Sequence, residues 1–485
     1  MTSDKPNLPL CVDLDGTLIN ADLSVESLFG ALRKAPWILF LLPVWLLRGK
    51  SVAKEALAGF AEIDASVLPY HVGVLSLVRK ARGEGRVTVL VTGSHQKYAE
   101  RVSAYLGLFD EFIGTTSDCN LTGRNKAVRL RERFGEGGFE YVANGRVDLE
   151  VWRASAASVT VNAPRHVVRE VASLGLPHVD LPEAPVGVRA WLKAIRLHQW
   201  TKNALLFVPV IMAHKILDVS ALLAVAMAFV AFGLAASATY IINDLFDLQT
   251  DRHHPKKKRR PFAAGTIPAK TGALAAIGLL ATGAAIASLL PGSFTAALAI
   301  YVVSTLLYSF RLKEVASLDV VILAGLYTLR IIAGAFAVGL ALSFWLLAFS
   351  MFIFLCLALV KRVAELIELR RRESETARIA IRGREYSTQD IPILQVMGAS
   401  SGYLAVLILA LYINSAEVLK LYKSPEILWL IAPLLLLWVT RLWVITTRGY
   451  MDEDPIFFAI KDPETWITAV VTGLILLAAT MLRMT

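Results

Sequence analysis

Beyond residue 190 the sequence is a succession of apolar stretches, each about 20 residues long, the length a helix needs to cross bilayer hydrocarbon. They fall at 196–213, 219–243, 271–289, 293–310, 316–339, 343–361, 391–413, 426–447 and 464–483. Lipid cannot satisfy an exposed backbone, so such runs predict an all-α membrane domain of about nine transmembrane helices. The connections holding Arg252 to Arg260, Arg311 to Lys313, Lys361 to Arg384 and Arg448 to Lys461 fall on one side of that arrangement. By the positive-inside rule that side is cytoplasmic, in an inner (plasma) membrane, and the C-terminus ends outside. The net charge of +10 sits mostly in these loops, which favours anionic headgroups or phosphorylated substrates as partners and predicts no nucleic acid. Cys11, Cys119 and Cys356 lack metal or redox spacing and imply no disulfide framework. Oligomeric state has no signature here.

One membrane segment carries acids. In Tyr240-Ile-Ile-Asn-Asp-Leu-Phe-Asp-Leu-Gln-Thr-Asp251, helical spacing puts Asn243, Asp244, Asp247 and Asp251 within one arc. Carboxylates crowded at a membrane surface repel one another unless a cation neutralises them, and hard oxygen ligands that leave room for water and phosphate suit Mg²⁺. The expected ligand is a metal-bound diphosphate. The alternative, a solvated helix end followed by a basic loop, makes poor use of acids inside a membrane helix.

Residues 1–180 read differently, as a soluble α/β domain, joined to the membrane domain at 191–485 by a linker over 181–190 rich in proline. Leu8 to Val12 is an apolar strand that ends in Asp13-Leu-Asp15-Gly16-Thr17, placing two carboxylates on one side of a strand end. Val87-Thr-Val-Leu-Val-Thr92, then Lys126, then Tyr141-Val-Ala-Asn-Gly-Arg-Val-Asp148 follow in order. This series resembles the haloacid dehalogenase-like phosphatases, implying a Rossmann-type parallel sheet with a small helical cap. The resemblance makes Asp13 the nucleophile, Asp15 the acid/base, Thr92 and Lys126 phosphate ligands, and Asp13, Asp15 and Asp148 the Mg²⁺ site. Ala143 and Asn144 stand where the family usually has Gly-Asp, which predicts weaker Mg²⁺ binding. A working phosphatase and a folded remnant that scaffolds or regulates both stay open. The apolar run from Ala35 to Arg48 is too short to span. It reads as a buried cap helix, or as a Trp-rich surface that dips into the inner leaflet or docks on the membrane domain, and the second is favoured.

The membrane domain opens with Arg196-Leu-His198-Gln-Trp200-Thr-Lys202-Asn203, where an interfacial belt competes with a phosphate-binding role. His198 and Lys202 would share a helical face. Together with Asn243-Asp-x-x-Asp-x-x-x-Asp251 and His254-Pro-x-Lys257-x-x-Arg260-Pro261, this opening resembles the UbiA family of intramembrane prenyltransferases, in its polyprenyl-phosphate phosphoribosyltransferase branch. The second half has Tyr308-Ser-Phe-Arg311-Leu-Lys313 before Asp319 in place of a second aspartate-rich motif, a mix suited to an extra anionic partner such as a lipid phosphate.

The resemblance implies Mg²⁺ on Asn243, Asp244, Asp247 and Asp251, phosphoribosyl pyrophosphate and a polyprenyl phosphate lipid as substrates, and Asp244 and Asp247 as catalytic. Lys202, Asn203, Lys257, Arg260, Tyr308, Arg311, Lys313, Asp319 and Arg330 are the implied substrate-binding set. Arg330 would lie deep in its span, lining a cavity or pairing with an acid. Lys361 and Arg362 read as topology anchors, and Glu365 to Arg384 and Asp452-Glu-Asp-Pro455 as solvated charge. An aromatic prenyltransferase, and a membrane scaffold with an inactive head, remain as alternatives.

Overall fold

The computed structural model describes residues 7–182, 186–372, 385–415, 418, 421–451 and 455–482. Part of the expected linker, residues 183–185, lies outside them, as do most of the charged stretch to Arg384 and residues 452–454. Two compact units emerge: Met1–Leu197 with Tyr240–Gly278, and His198–Thr239 with Leu279–Thr485.

The first unit holds a six-stranded sheet in the order β3-β2-β1-β4-β5-β6. Its strands are β1 (Leu10–Asp13), β2 (Thr88–His95), β3 (Glu111–Thr115), β4 (Glu140–Ala143), β5 (Ala157–Val161) and β6 (His178–Leu181). Every pairing is parallel. All four residues of β1 are buried, as a central strand covered on both faces requires. Helices α1 (Leu23–Lys34), α2 (Ile38–Arg48) and α3 (Lys50–Phe60) come between β1 and β2 as a small helical cap, followed by α4 (Val72–Gly83). The remaining crossovers carry α5 (Gln96–Leu106), α6 (Arg124–Phe134), α7 (Leu149–Arg153) and α8 (Arg165–Ala172). Chain order reverses on either side of β1, so the carboxyl ends of β1, β2 and β4 open onto one crevice, the usual place for a ligand in such sheets.

After α9 (Val188–Ala194) comes the stretch expected to be the first span. It is an 11-residue 3₁₀ segment, Leu197–Phe207, and then the short α10 (Val208–Met212). Arg196 in the left-handed region (φ 51°), the polar run His198 to Asn203 and Pro209 break it up. Eight helices among the described residues, instead of nine, are long and apolar enough to cross a membrane. They are α11 (Val219–Phe246), α13 (Ala269–Ala287), α14 (Gly292–Phe310), α15 (Leu318–Ala337), α16 (Phe344–Arg372), α17 (Ile391–Ile413), the helical stretch Pro425–Thr447 containing α18 (Ile431–Thr447), and α20 (Pro463–Met481). Short helices α12 (Leu248–His253) and α19 (Pro455–Lys461) lie outside these spans.

The cap run also departs from one expectation. α2 is not buried: Phe40 is 80% and Leu47 89% exposed, and no described residue covers that face. Only its Ile38 side packs, against Ala31, Ala35 and Leu57.

Candidate active sites

At the crevice of the sheet, β1 ends on Asp13, and Gly16 (φ 73°) turns the chain so that Asp15 follows. α6 delivers Lys126, whose ammonium donates to Asp13 Oδ1 at 2.8 Å, Asp148 Oδ1 at 2.9 Å and the Tyr141 hydroxyl at 2.9 Å. Residues 113 positions apart thereby form one buried cluster. Asp15 accepts from Thr92 Oγ1 at 2.8 Å and from the Leu23 amide at 2.7 Å, which ties the start of α1 to the crevice. Thr92 is completely buried and engaged with Asp15, and Lys126 with two carboxylates, so both hold the acids in place.

Burial pushes the Asp13 carboxyl up to about 7, Lys126 pulling against it while Asp148 and Asp15 add to the rise. Burial likewise raises Asp15 to about 6, with Asp22 adding to it and the Leu23 amide, Ser94 and Thr92 opposing. Tyr141, Ser94 and Lys54 carry no signature in the sequence, because each acts through tertiary proximity. Lys54 donates to the Gly93 carbonyl at 2.5 Å and to Asn120 Oδ1 at 2.8 Å, and burial lowers its pKa. Asn144 packs directly against Gly16, so a β-carbon there would collide with its amide.

The donor set suits Mg²⁺. Two buried carboxylates, Asp13 and Asp148, already converge on one cationic atom, the Lys126 ammonium. A raised carboxyl binds its proton more tightly folded than unfolded. Its contribution to stability is therefore present at low pH and lost as pH rises through about 7. A metal competes for the same oxygen, so the Mg²⁺-dependent rise in melting temperature is expected to be larger at pH 8 than at pH 6. Thermal melts with Mg²⁺ and with chelator at the two pH values check this. An equal rise at both would contradict it.

The second set of acids belongs to the same compact unit. α11 ends at Phe246, and Asp247 sits at the junction with α12, so the acid segment is two helices instead of one. The amides of Asp247 and Asp251 still bond the carbonyls four residues back, at 3.0 and 2.7 Å, so the helical backbone pattern continues across the break. Asp244 and Asp251 are each 2% exposed. One guanidinium nitrogen, Arg260 Nη1, lies 3.1 Å from Asp244 Oδ1 and 2.6 Å from Asp251 Oδ2. Arg196 adds a 2.5 Å bond to Asp244 Oδ1 and lies over the Tyr240 ring. Burial pushes the Asp251 carboxyl above its usual range, with Arg260 opposing.

Asp247 turns elsewhere. Arg33, on α1, donates to Asp247 Oδ1 at 2.5 Å and to the Phe246 carbonyl at 3.3 Å. Beside it Glu26 holds Arg252 through two bonds of 2.7 and 2.5 Å, both side chains 3% exposed, and Phe29 meets the Phe246 ring edge-on. The three carboxylates therefore do not form a ready cage, and among the described residues no three acidic, histidine or cysteine side chains do. The chemistry still fits a divalent cation, because two carboxylates meet at a position that already holds positive charge. Asn243 is half-buried beside them, and Lys257 is exposed in the following 3₁₀ turn.

In the second unit, Asp319 is fully buried at the start of α15, accepting from the Tyr308 hydroxyl at 2.7 Å and paired with Arg362 Nη2 at 2.8 Å. Arg362, read from the sequence as an anchor, is instead completely buried in this pair, because α16 packs along α15. Among the described residues Arg330 pairs with no acid: it donates to Asn203 Oδ1 and the Tyr301 hydroxyl, each at 3.1 Å, and to the Leu326 carbonyl at 2.7 Å. The rings of Phe232, Tyr301 and Tyr327 enclose it within 5.5 Å. Lys202 lies over the Tyr327 ring. A 3₁₀ segment has three residues per turn, so His198 and Lys202 do not stack as an α-helix would place them. Arg311 is exposed and Lys313 half-buried in the loop after α14. Towards the other end of α15 an apolar cavity of about 490 Å³ is lined by Val208, Ile331, Trp345, Leu409, Tyr412 and Leu435.

Comparison with known proteins divides the chain by sequence, with residues 240–278 of the first unit falling in the membrane family's match. The UbiA prenyltransferase family model matches residues 204–481, and that of haloacid dehalogenase-like hydrolases matches 10–153. An uncharacterized protein of Sinorhizobium fredii is 40% identical over 95% of this chain and 88% of its own. Decaprenyl-phosphate phosphoribosyltransferase of Mycolicibacterium smegmatis is 31% identical over 57% of this chain and 87% of its own. A solved UbiA homologue from Archaeoglobus fulgidus, bound to DMAPP and Mg²⁺, covers 60% of this chain and 99% of itself at 17% identity and a TM-score of 0.45. The chain is thus an integral membrane member of the UbiA prenyltransferase family that also carries a haloacid dehalogenase-like domain.

Proposed function

We propose that the chain transfers the 5-phosphoribosyl group of phosphoribosyl pyrophosphate to a polyprenyl phosphate in the plasma membrane, with the dehalogenase-like head on the cytoplasmic side. The observation that carries this reading is the convergence of Asp244 and Asp251 on one cation position, next to a basic loop that runs through Lys257 to Arg260. Mg²⁺ held by Asp244 and Asp251 would neutralise the departing pyrophosphate. Arg260 and Lys257 bind the remaining phosphate oxygens. The C1–O bond to pyrophosphate breaks, and an oxygen of the lipid phosphate forms the new bond to C1. That oxygen is already anionic at neutral pH, so the chain needs no strong base. It has to position two anions and offset their charge.

Support also comes from the relative named decaprenyl-phosphate phosphoribosyltransferase. Within the second unit, Arg311 and Lys313 are basic residues of the kind that binds phosphate, and the apolar cavity suits a polyprenyl tail. Product would then leave with a 5-phosphate for the head to remove: an Asp13 oxygen attacks phosphorus, the bond from phosphorus to the ribose oxygen breaks as Asp15 gives that oxygen its proton, and water then hydrolyses the aspartyl phosphate to free phosphate. Asp13→Asn is expected to abolish that release while transfer continues, and phosphate release at the wild-type rate from the variant would remove the head's role.

The test of the whole reading is incubation of purified protein with labelled phosphoribosyl pyrophosphate, Mg²⁺ and polyprenyl phosphates, followed by lipid extraction. Label in the lipid phase is expected. Consumption of a prenyl diphosphate with phosphoribosyl pyrophosphate ignored would select an aromatic prenyltransferase instead.

A further inference from the structure

α2 is left unexplained by either site. It is 11 residues long, about 17 Å at the helical rise, and cannot cross a bilayer. Yet Trp37, Leu39, Phe40, Val44 and Leu47 are 57%, 58%, 80%, 44% and 89% exposed, an apolar surface that water penalises when it is contiguous. The segment between it and α1 is short, and α1 ends beside the end of a candidate spanning helix. Arg33, in the last turn of α1, bonds the carbonyl of Phe246, the final residue of a spanning helix. α2 begins at Ile38, five residues after Arg33, so it starts at the level where α11 leaves the bilayer. Exposed Lys34, Arg48 and Lys50 flank it, placed to meet anionic headgroups while the apolar face enters the acyl region.

We propose that α2 is an interfacial anchor, lying in the plane of the leaflet that the acid-bearing end of α11 reaches. Its occupant is lipid. A second copy of the chain or another protein would need to reach a face that this placement turns into the bilayer. Insertion fixes α1, and with it the Arg33 contact to Asp247, against the membrane surface.

The experiment uses the full chain with Cys119, the exposed cysteine, replaced by serine; Cys11 and Cys356 are buried. A single cysteine at Leu47, or at Val179 (55% exposed) on β6 as the reference, carries a fluorophore. The protein sits in nanodiscs of phosphatidylcholine and phosphatidylglycerol. The Leu47 label is expected to be quenched by doxyl-labelled lipid and to be severalfold less accessible to aqueous iodide than the Val179 label. Equal iodide access at both positions would overturn the proposal. So would protection from iodide without quenching by doxyl lipid, which marks a protein partner or second copy. Both positions are exposed, so labelling leaves the packed core untouched.

Discussion

Asp244→Asn is expected to slow transfer by on the order of 10²–10³-fold, the usual loss when one preorganised charge at a developing anion is removed. The side chain is 2% exposed and accepts from Arg196 at 2.5 Å and from Arg260 at 3.1 Å. An amide of the same shape keeps the oxygen that both arginines bond but has no charge to hold a divalent ion. The fold should therefore survive while the diphosphate loses its clamp. Initial rates of label entering the lipid phase, beside a melting curve of the same preparation, separate the two effects. A variant that transfers at the wild-type rate would show that this carboxylate serves only the arginines. Asp251→Asn is expected to behave similarly, since Arg260 Nη1 bridges the two.

Lys126→Met carries the largest expected effect on stability. The ammonium is 4% exposed and is the shared partner of Asp13, Asp148 and Tyr141. A methionine fills the space but leaves two buried carboxylates facing each other without a cation, which costs about 3–5 kcal/mol when a buried pair is broken from one side. Protonation relieves that repulsion, so the loss should be smaller at pH 5 than at pH 8. Adding Asp13→Asn to the same variant should restore part of it. Chemical denaturation at both pH values measures this, and a destabilisation independent of pH would point to packing. The contrast is Glu150→Gln: its pair with Arg153 is half exposed on both sides, and such pairs are worth about 0–1 kcal/mol.

Much of this architecture is legible in the residues alone. Apolar runs of spanning length locate most of the membrane helices to within a few residues, as at 293–310 against Gly292–Phe310, because lipid demands continuous helical hydrogen bonding, while α16 runs on past the expected 361 to Arg372. The spacing of Asp244, Asp247 and Asp251 keeps its local register. Asp13 ends β1, Thr92 lies within β2, Lys126 is on α6 and Asp148 follows β4, and the parallel sheet brings the four to one crevice. The expected first span does not form, because its polar residues and Pro209 outweigh its apolar ones. Arg362 was misread because a charge at the end of an apolar run looks the same in sequence whether it anchors a helix in headgroups or answers an acid on the next one.

The sequence by itself determined where eight spanning helices lie and that a separate α/β domain precedes them, since these follow from periodicity and from the cost of polar groups in lipid. Only the tertiary structure decided which charge answers which. Arg33 reaches Asp247 across 214 positions, Glu26 reaches Arg252 across 226, and Arg362 reaches Asp319 across 43. One arginine is chemically like another and one carboxyl group like another, so partner choice rests on which surfaces pack together, and no local pattern encodes that.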